Sequence, residues 1–187
     1  MARDPVRFII ITVPPAEVAE QIDRFRRAIA EIGDTWEALT YPPHVTLRTG
    51  ALVPPEQAER YADRLVQHLA QVRSFPVETG ALQQATYQSD GAPRHFVGYD
   101  IDRSDSLMRL HRQLLEFRQW IKGEQREFRP HLTIAYHDLS AQAASRVKRW
   151  VAANPLDVPA GFRWRCDNVA LYTRGATSWE PYRIVRL

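Results

Sequence analysis

Apolar and β-branched residues run without interruption from Phe8 to Val13 and stop at Pro14 and Pro15. A short apolar run of this kind predicts a buried strand. From Ala16 to Glu31 the spacing changes: Val18, Ile22, Phe25, Ile29 and Ile32 recur in steps of three and four, the signature of an amphipathic helix, with Gly33 as its stop. A short strand from His44 to Thr49 follows. Pro54 and Pro55 open a second helical pattern with Ala58, Tyr61, Leu65 and Leu69 on one face. Phe75 to Tyr87 reads as extended, and Ser89, Asp90 and Gly91 as a turn.

The order then restarts. His95 to Ile101 is a predicted strand. Ser104 to Ile121 is a predicted helix, with Leu107, Leu110, Leu114, Phe117 and Ile121 in register and Gly123 after it. His131 to Tyr136 is a strand, and Ser140 caps a helix running to Val151. Gly161 to Thr173 and Pro181 to Leu187 are extended. His44 lies 36 residues after Phe8, and His131 lies 35 after Phe96. The period is too long for a solenoid. It predicts an α+β fold in one bilobal domain over 1–187, its duplicated strand-helix-strand halves, about 1–90 and 91–187, related by a pseudo-twofold axis. Antiparallel-rich sheets are expected to face a central cleft, with helices outside. No Gly/Ser linker divides the halves, so they are not expected to be independent.

Composition narrows this picture. The chain of 187 residues is 44% hydrophobic and 25% charged, with 13 Pro and 8 Gly, which is globular composition. The net charge of +3 permits an anionic partner without requiring one. Lys122 and Lys148 are the only lysines, so the basic charge is almost all arginine, which suits bidentate phosphate contacts. Cys166 is the single cysteine, which excludes an internal disulfide and a cysteine-based zinc site. The apolar run at the N-terminus is too short for a signal core or a membrane span, so the expected location is the cytoplasm, with no membrane partner.

The candidate chemistry lies in a phrase written twice. Tyr41 to Gly50 reads YPPHVTLRTG and Phe128 to His137 reads FRPHLTIAYH, each an aromatic followed by Pro-His-apolar-Thr-apolar. Side chains alternate along a strand. His44, Thr46 and Arg48 should therefore share one face, with Val45 and Leu47 on the other; His131 and Thr133 should oppose Leu132 and Ile134. One such tetrapeptide is weak evidence, whereas two at matched offsets in a repeated element are strong. Two imidazoles converging on one cleft meet the needs of phosphodiester cleavage without a metal. One takes a proton from a nucleophile and the other gives one to a leaving oxygen. Thr46 and Thr133 can donate to phosphate oxygens as charge builds on them. Tyr41, Arg129 and Tyr136 are candidate substrate contacts by proximity, and Arg48 by face. Phe128 matches Tyr41 in position. Motifs for a phosphate-binding loop, a lysyl-adenylate ligase or a carboxylate metal site are missing, so no cofactor and no metal are expected.

These two motifs, in a duplicated α+β chain, resemble the two-histidine (2H) phosphoesterase superfamily, and within it the bacterial 2'-5' RNA ligase and RNA 2',3'-cyclic phosphodiesterase group. The likeness runs from Phe8 to Leu187 through the order of elements. It implies that His44 is the general acid on the leaving 3'-oxygen and His131 the base that activates water. Thr46 and Thr133 would then hold the phosphate. The implied reaction converts an RNA 2',3'-cyclic phosphate end to a 2'-phosphate, with ATP-independent 2'-5' joining as its reverse. RNA-acting members often carry a basic residue just after the second motif; here Ala135, Tyr136 and His137 stand there, leaving Arg48 and Arg129 as candidate replacements. Partners would be RNA ends or cyclic nucleotides. Two other readings stand beside this one: the same chemistry on small cyclic nucleotides or ADP-ribose cyclic phosphate, and a non-catalytic nucleotide- or RNA-binding module. The oligomeric state is not readable.

Overall fold

A computed structural model describes residues 4–89, 91–117, 127–136 and 138–187. The described residues form eight strands and four α-helices. In chain order these are β1 (Val6–Thr12), α1 (Ala16–Gly33), β2 (Val45–Val53), α2 (Ala58–Leu69), β3 (Phe75–Ser89), β4 (Ala92–Ile101), α3 (Asp105–Glu116), β5 (His131–Ala135), α4 (Ala141–Ala153), β6 (Arg163–Cys166), β7 (Asn168–Arg174) and β8 (Trp179–Arg186). The predicted α+β class and the duplicated order of elements are both present.

All strands join in one antiparallel sheet, ordered β6-β3-β4-β5-β2-β1-β7-β8 and curled into a half-barrel. The two expected sheets are thus its two four-stranded halves, meeting edge to edge at β5 and β2. A single registered pair, Val45 opposite Leu132, stitches that seam. Pro43 and Pro130 lie just before the paired strands and have no N–H to extend the ladder. The halves also exchange strands. β3, which follows α2, pairs with β4, and β7, which follows α4, pairs with β1. α1 likewise packs on β5, and α3 on β2.

Burial explains the periodicities. β1 is apolar on both faces because it is covered on both. Phe8 and Ile10 enter the main core beneath the helices, while Ile9 and Ile11 join Ala170 and Tyr172 in a small cluster on the opposite face. Tyr61, Leu65 and Leu69 of α2 and Leu107, Leu110 and Leu114 of α3 are buried in the main core. Each such side chain contributes about 1.5–3 kcal/mol on transfer from water.

Several boundaries differ from expectation; β2, for one, runs over Val45–Val53 where His44 to Thr49 was expected. α1 includes Gly33 as its last residue, and Asp34 takes the left-handed turn at φ 51°. Gly33 serves closeness instead, because a Cβ there would lie 2.9 Å from Thr35 Cγ2 and 3.2 Å from Val147 Cγ2 of α4. α3 ends at Glu116, with Phe117 out of helical geometry at ψ 71°. The expected extension to Ile121, and Gly123, lie outside the described residues, as do Asp90 and His137. Asp167 divides the predicted extended stretch from Gly161 to Thr173 into β6 and β7. No described helix is long and apolar enough to cross a membrane.

Candidate active site

The seam decides where the repeated phrases meet. Val45 and Leu132 are opposite each other and fully buried, so both point into the core. Continuing that register sets His44 opposite Thr133 and Thr46 opposite His131, all on the concave face. The imidazoles occupy a diagonal of this square, a spacing of about 7–8 Å for such a pair and somewhat less between Cβ atoms. Charge on His131 is close enough to oppose protonation of His44.

Both rings are held in the same way. His44 Nδ1 lies 2.8 Å from the Pro42 carbonyl oxygen, and His131 Nδ1 lies 2.8 Å from that of Arg129. A carbonyl only accepts, so we assign the proton to Nδ1 in each ring. Nε2 is then the nitrogen left to do chemistry, as an acceptor in the neutral ring and a donor in the imidazolium. The surroundings differ: His44 is half-buried and His131 exposed. Burial pushes His44 down from 6.5 to about 4, against the Pro42 carbonyl, which favours the charged ring; Arg26 and His131 add to the depression. Arg26 of α1 is buried, pairs with Asp23 at 2.8 Å and donates to the Tyr41 carbonyl at 3.1 Å. It thereby anchors the backbone from which His44 springs.

Tyr41 rests against the His44 ring at 5.6 Å between centroids, and stacks on Trp179 at 5.3 Å. The Arg174 guanidinium lies 6.0 Å from the Trp179 ring centroid. On the other side His131 meets Phe96 edge to face at 5.1 Å, and behind Phe96 stand Tyr136 and Tyr87. Asp100 is registered opposite His131. It lines a cavity of about 400 Å³ with Ile101, Arg103, Glu127, Arg129 and Pro130.

One expected contact needs correction. Alternation placed Arg48 beside His44, but β2 bulges at Leu47. Thr46 pairs with Ile11 of the concave face, whereas Arg48 pairs with Ile10 of the main core. The Arg48 guanidinium consequently donates to the Leu114 carbonyl of α3. Arg129 is near the site, but its guanidinium is engaged by Glu127 at 2.7 Å, and it holds that carboxyl below the ordinary value. Phe128 does not repeat the part of Tyr41: it stacks on His111 at 3.8 Å. The other helical histidines are structural, with His111 Nδ1 3.1 Å from the Leu47 carbonyl and His68 Nε2 2.7 Å from that of Gln113.

Sequence reasoning passed over Trp179, Arg174, Phe96, Arg26 and Asp138. Asp138 accepts from Thr35 Oγ1 at 2.6 Å, Trp36 N at 2.5 Å and Glu37 N at 2.9 Å. It ties the segment after the second motif to the turn before the first. No described group of three His, Cys, Asp or Glu side chains is arranged to hold a metal.

A sequence profile described as the 2'-5' RNA ligase superfamily matches residues 14–177, which include both motifs. The chain belongs to the 2'-5' RNA ligase superfamily. This is a superfamily of 2H phosphoesterases. The fold is similar to that of E. coli LigT complexed with 3'-AMP, with 21% identity, 98% of each chain covered and a TM-score of 0.62. It is also similar to TT0787 of Thermus thermophilus, with 18% identity, 97% of each chain and a TM-score of 0.57. Kluyveromyces marxianus Usb1 is similar over 98% of this chain and 99% of its own, with 14% identity and a TM-score of 0.58. LigT has also been solved with ATP and with NADP+. No curated protein sequence matches the chain significantly.

Proposed function

We propose that this 2'-5' RNA ligase superfamily member is a metal-independent cyclic phosphodiesterase that opens RNA 2',3'-cyclic phosphate ends to 2'-phosphates. One observation carries the reading: the single Val45–Leu132 pair sets two imidazoles and two threonines on one concave face, with each Nδ1 bound to a carbonyl. His131 Nε2 takes a proton from water as the water oxygen bonds to phosphorus. The bond from phosphorus to O3' breaks, and His44 Nε2 gives that oxygen a proton. Thr46 and Thr133 donate to the non-bridging oxygens. Phosphate binding adds negative charge beside His44 and raises its pKa, which makes it a better-populated acid. With a 5'-hydroxyl in place of water, His131 Nε2 takes the hydroxyl proton as its oxygen bonds to phosphorus, the bond from phosphorus to O3' breaks with a proton from His44, and a 2'-5' linkage forms without ATP.

The test incubates the protein with an oligonucleotide ending in a 2',3'-cyclic phosphate and, separately, with 2',3'-cyclic mononucleotides, and identifies the product phosphate. A 2'-phosphate from the oligonucleotide, lost in His44→Ala and His131→Ala, is expected. Turnover of mononucleotides alone moves the substrate to small cyclic nucleotides. Binding without turnover leaves a nucleotide- or RNA-binding module and removes the enzymatic reading. Activity in excess chelator is expected, and strict dependence on added metal would rule the mechanism out.

A further inference from the structure

We infer that Phe96 is a positioning residue for His131, seated in a notch that the absence of a side chain at Gly98 creates. The inference rests on His131 as a proton-transfer group, and four observations support it. His131 is exposed, and its bond to the Arg129 carbonyl pins only one corner of the ring. The Phe96 edge meets the imidazole at 84° and 5.1 Å, which fixes the ring plane as well. Phe96 reaches that place across Gly98. A Cβ on Gly98 would lie 2.3 Å from Phe96 Cζ, 2.9 Å from Cε1 and 2.5 Å from the Leu132 carbonyl oxygen, so the bare position admits both the ring and the close β4–β5 pairing. Gly98 and Asp100 are registered opposite Thr133 and His131, so the notch borders the phosphate-holding hydroxyl.

The two halves solve the same problem from different sources. His44 leans on Tyr41, three residues earlier in its own segment. The equivalent Phe128 is given over to His111, so β4 supplies the ring from a different strand. Tyr136 and Tyr87 prop Phe96 from behind, with centroids at 6.5 Å from Phe96 to Tyr136 and 6.1 Å between the tyrosines. Core filling does not account for Phe96. It is only partly buried and belongs to neither apolar cluster. Loss of the ring should therefore fall on the geometry of His131 and little on the fold.

The experiment compares the parent chain with Phe96→Leu, Phe96→Tyr and Phe96→Trp on the cyclic-ended oligonucleotide. A misplaced catalytic group costs on the order of 10²-fold, so Phe96→Leu should lose about 10- to 100-fold in kcat. KM and the melting temperature should stay near the parent values, and the aromatic variants should restore kcat. Unchanged kcat in Phe96→Leu overturns the inference. So does a rise in KM alone, which makes Phe96 a substrate contact, or an equal loss of melting temperature, which makes it structural. A second measurement needs no turnover. The Nδ1–H signal of His131, identified by its loss in His131→Ala, should exchange slowly with water in the parent and quickly in Phe96→Leu. Equal exchange overturns the inference even where the parent proves inactive, whereas failure of the phosphodiesterase reading appears in the parent's turnover alone.

Discussion

His44 and His131 occupy matching positions in two copies of one phrase, yet they differ in burial, and this difference is measurable. Folded His44 titrates at about 4 and its unfolded counterpart at 6.5. As pH falls through that window the unfolded chain binds the proton first, so stability declines from pH 6.5 towards 4. His44→Gln should remove this part of the slope in melting temperature against pH; equal slopes in parent and variant would refute the burial argument. The same group should give the kcat/KM profile an inflection at about 4, and that inflection should move up in the kcat profile once a phosphate lies beside the ring. An inflection at the same pH in both profiles would contradict it. In the proposed mechanism Thr133 donates to an oxygen that gains charge in the transition state, a bond worth about 1.5–3 kcal/mol, so Thr133→Val should lower kcat about 10- to 100-fold. Steady-state rates at saturating substrate check it.

Among the elements, the turn before β2 and the segment after β5 act together through Asp138. Its carboxylate accepts from one hydroxyl and two backbone N–H groups of residues 35–37, much as a capping side chain does. Asp138→Ala should cost about 0.5–2 kcal/mol by analogy with lost caps, and should lower activity because the Tyr41–His44 segment follows that turn. Denaturant unfolding and turnover measure the two effects, and an unchanged unfolding midpoint would refute the tie. Ser140 shows how far local reading reaches: predicted as a cap, it accepts from Ala143 N at 3.2 Å, as a short-range rule requires. Arg48 shows where such reading stops. Period-two alternation holds only while the ladder is regular, and the bulge at Leu47 carries Arg48 to the core side. Phe128 fails for a related reason: equivalence by position in a repeat does not include the neighbour, His111, that captures the ring.

Across the whole molecule the two halves hold each other. β3 completes the sheet beside β4, and β7 beside β1, so each sequence half lends a strand to the other. We expect 1–90 expressed alone to stay unfolded, because β1 would lack β7 on one edge and β3 would lose its partner β4. Heteronuclear NMR of that fragment decides the matter; a dispersed spectrum would show that the halves stand alone. The exchange also explains why only part of the site was legible beforehand. That His44, Thr46, His131 and Thr133 share one face was readable because each phrase carries its own parity. Phe96 and Trp179 were not, since each sits in a strand without a motif, and Phe96 meets His131 and Trp179 meets Tyr41 only through pairing across the sheet.

The chain by itself determined which residues form strands and helices, that the pattern is written twice, and which side chains of each phrase share a face. All of these follow from backbone periodicity over a few residues. Tertiary structure decided that the two phrases meet at one seam, that Arg48 turns away, and that one imidazole is shielded while the other is exposed. Those outcomes depend on strand register and burial between residues far apart in the chain, and local periodicity carries no record of either.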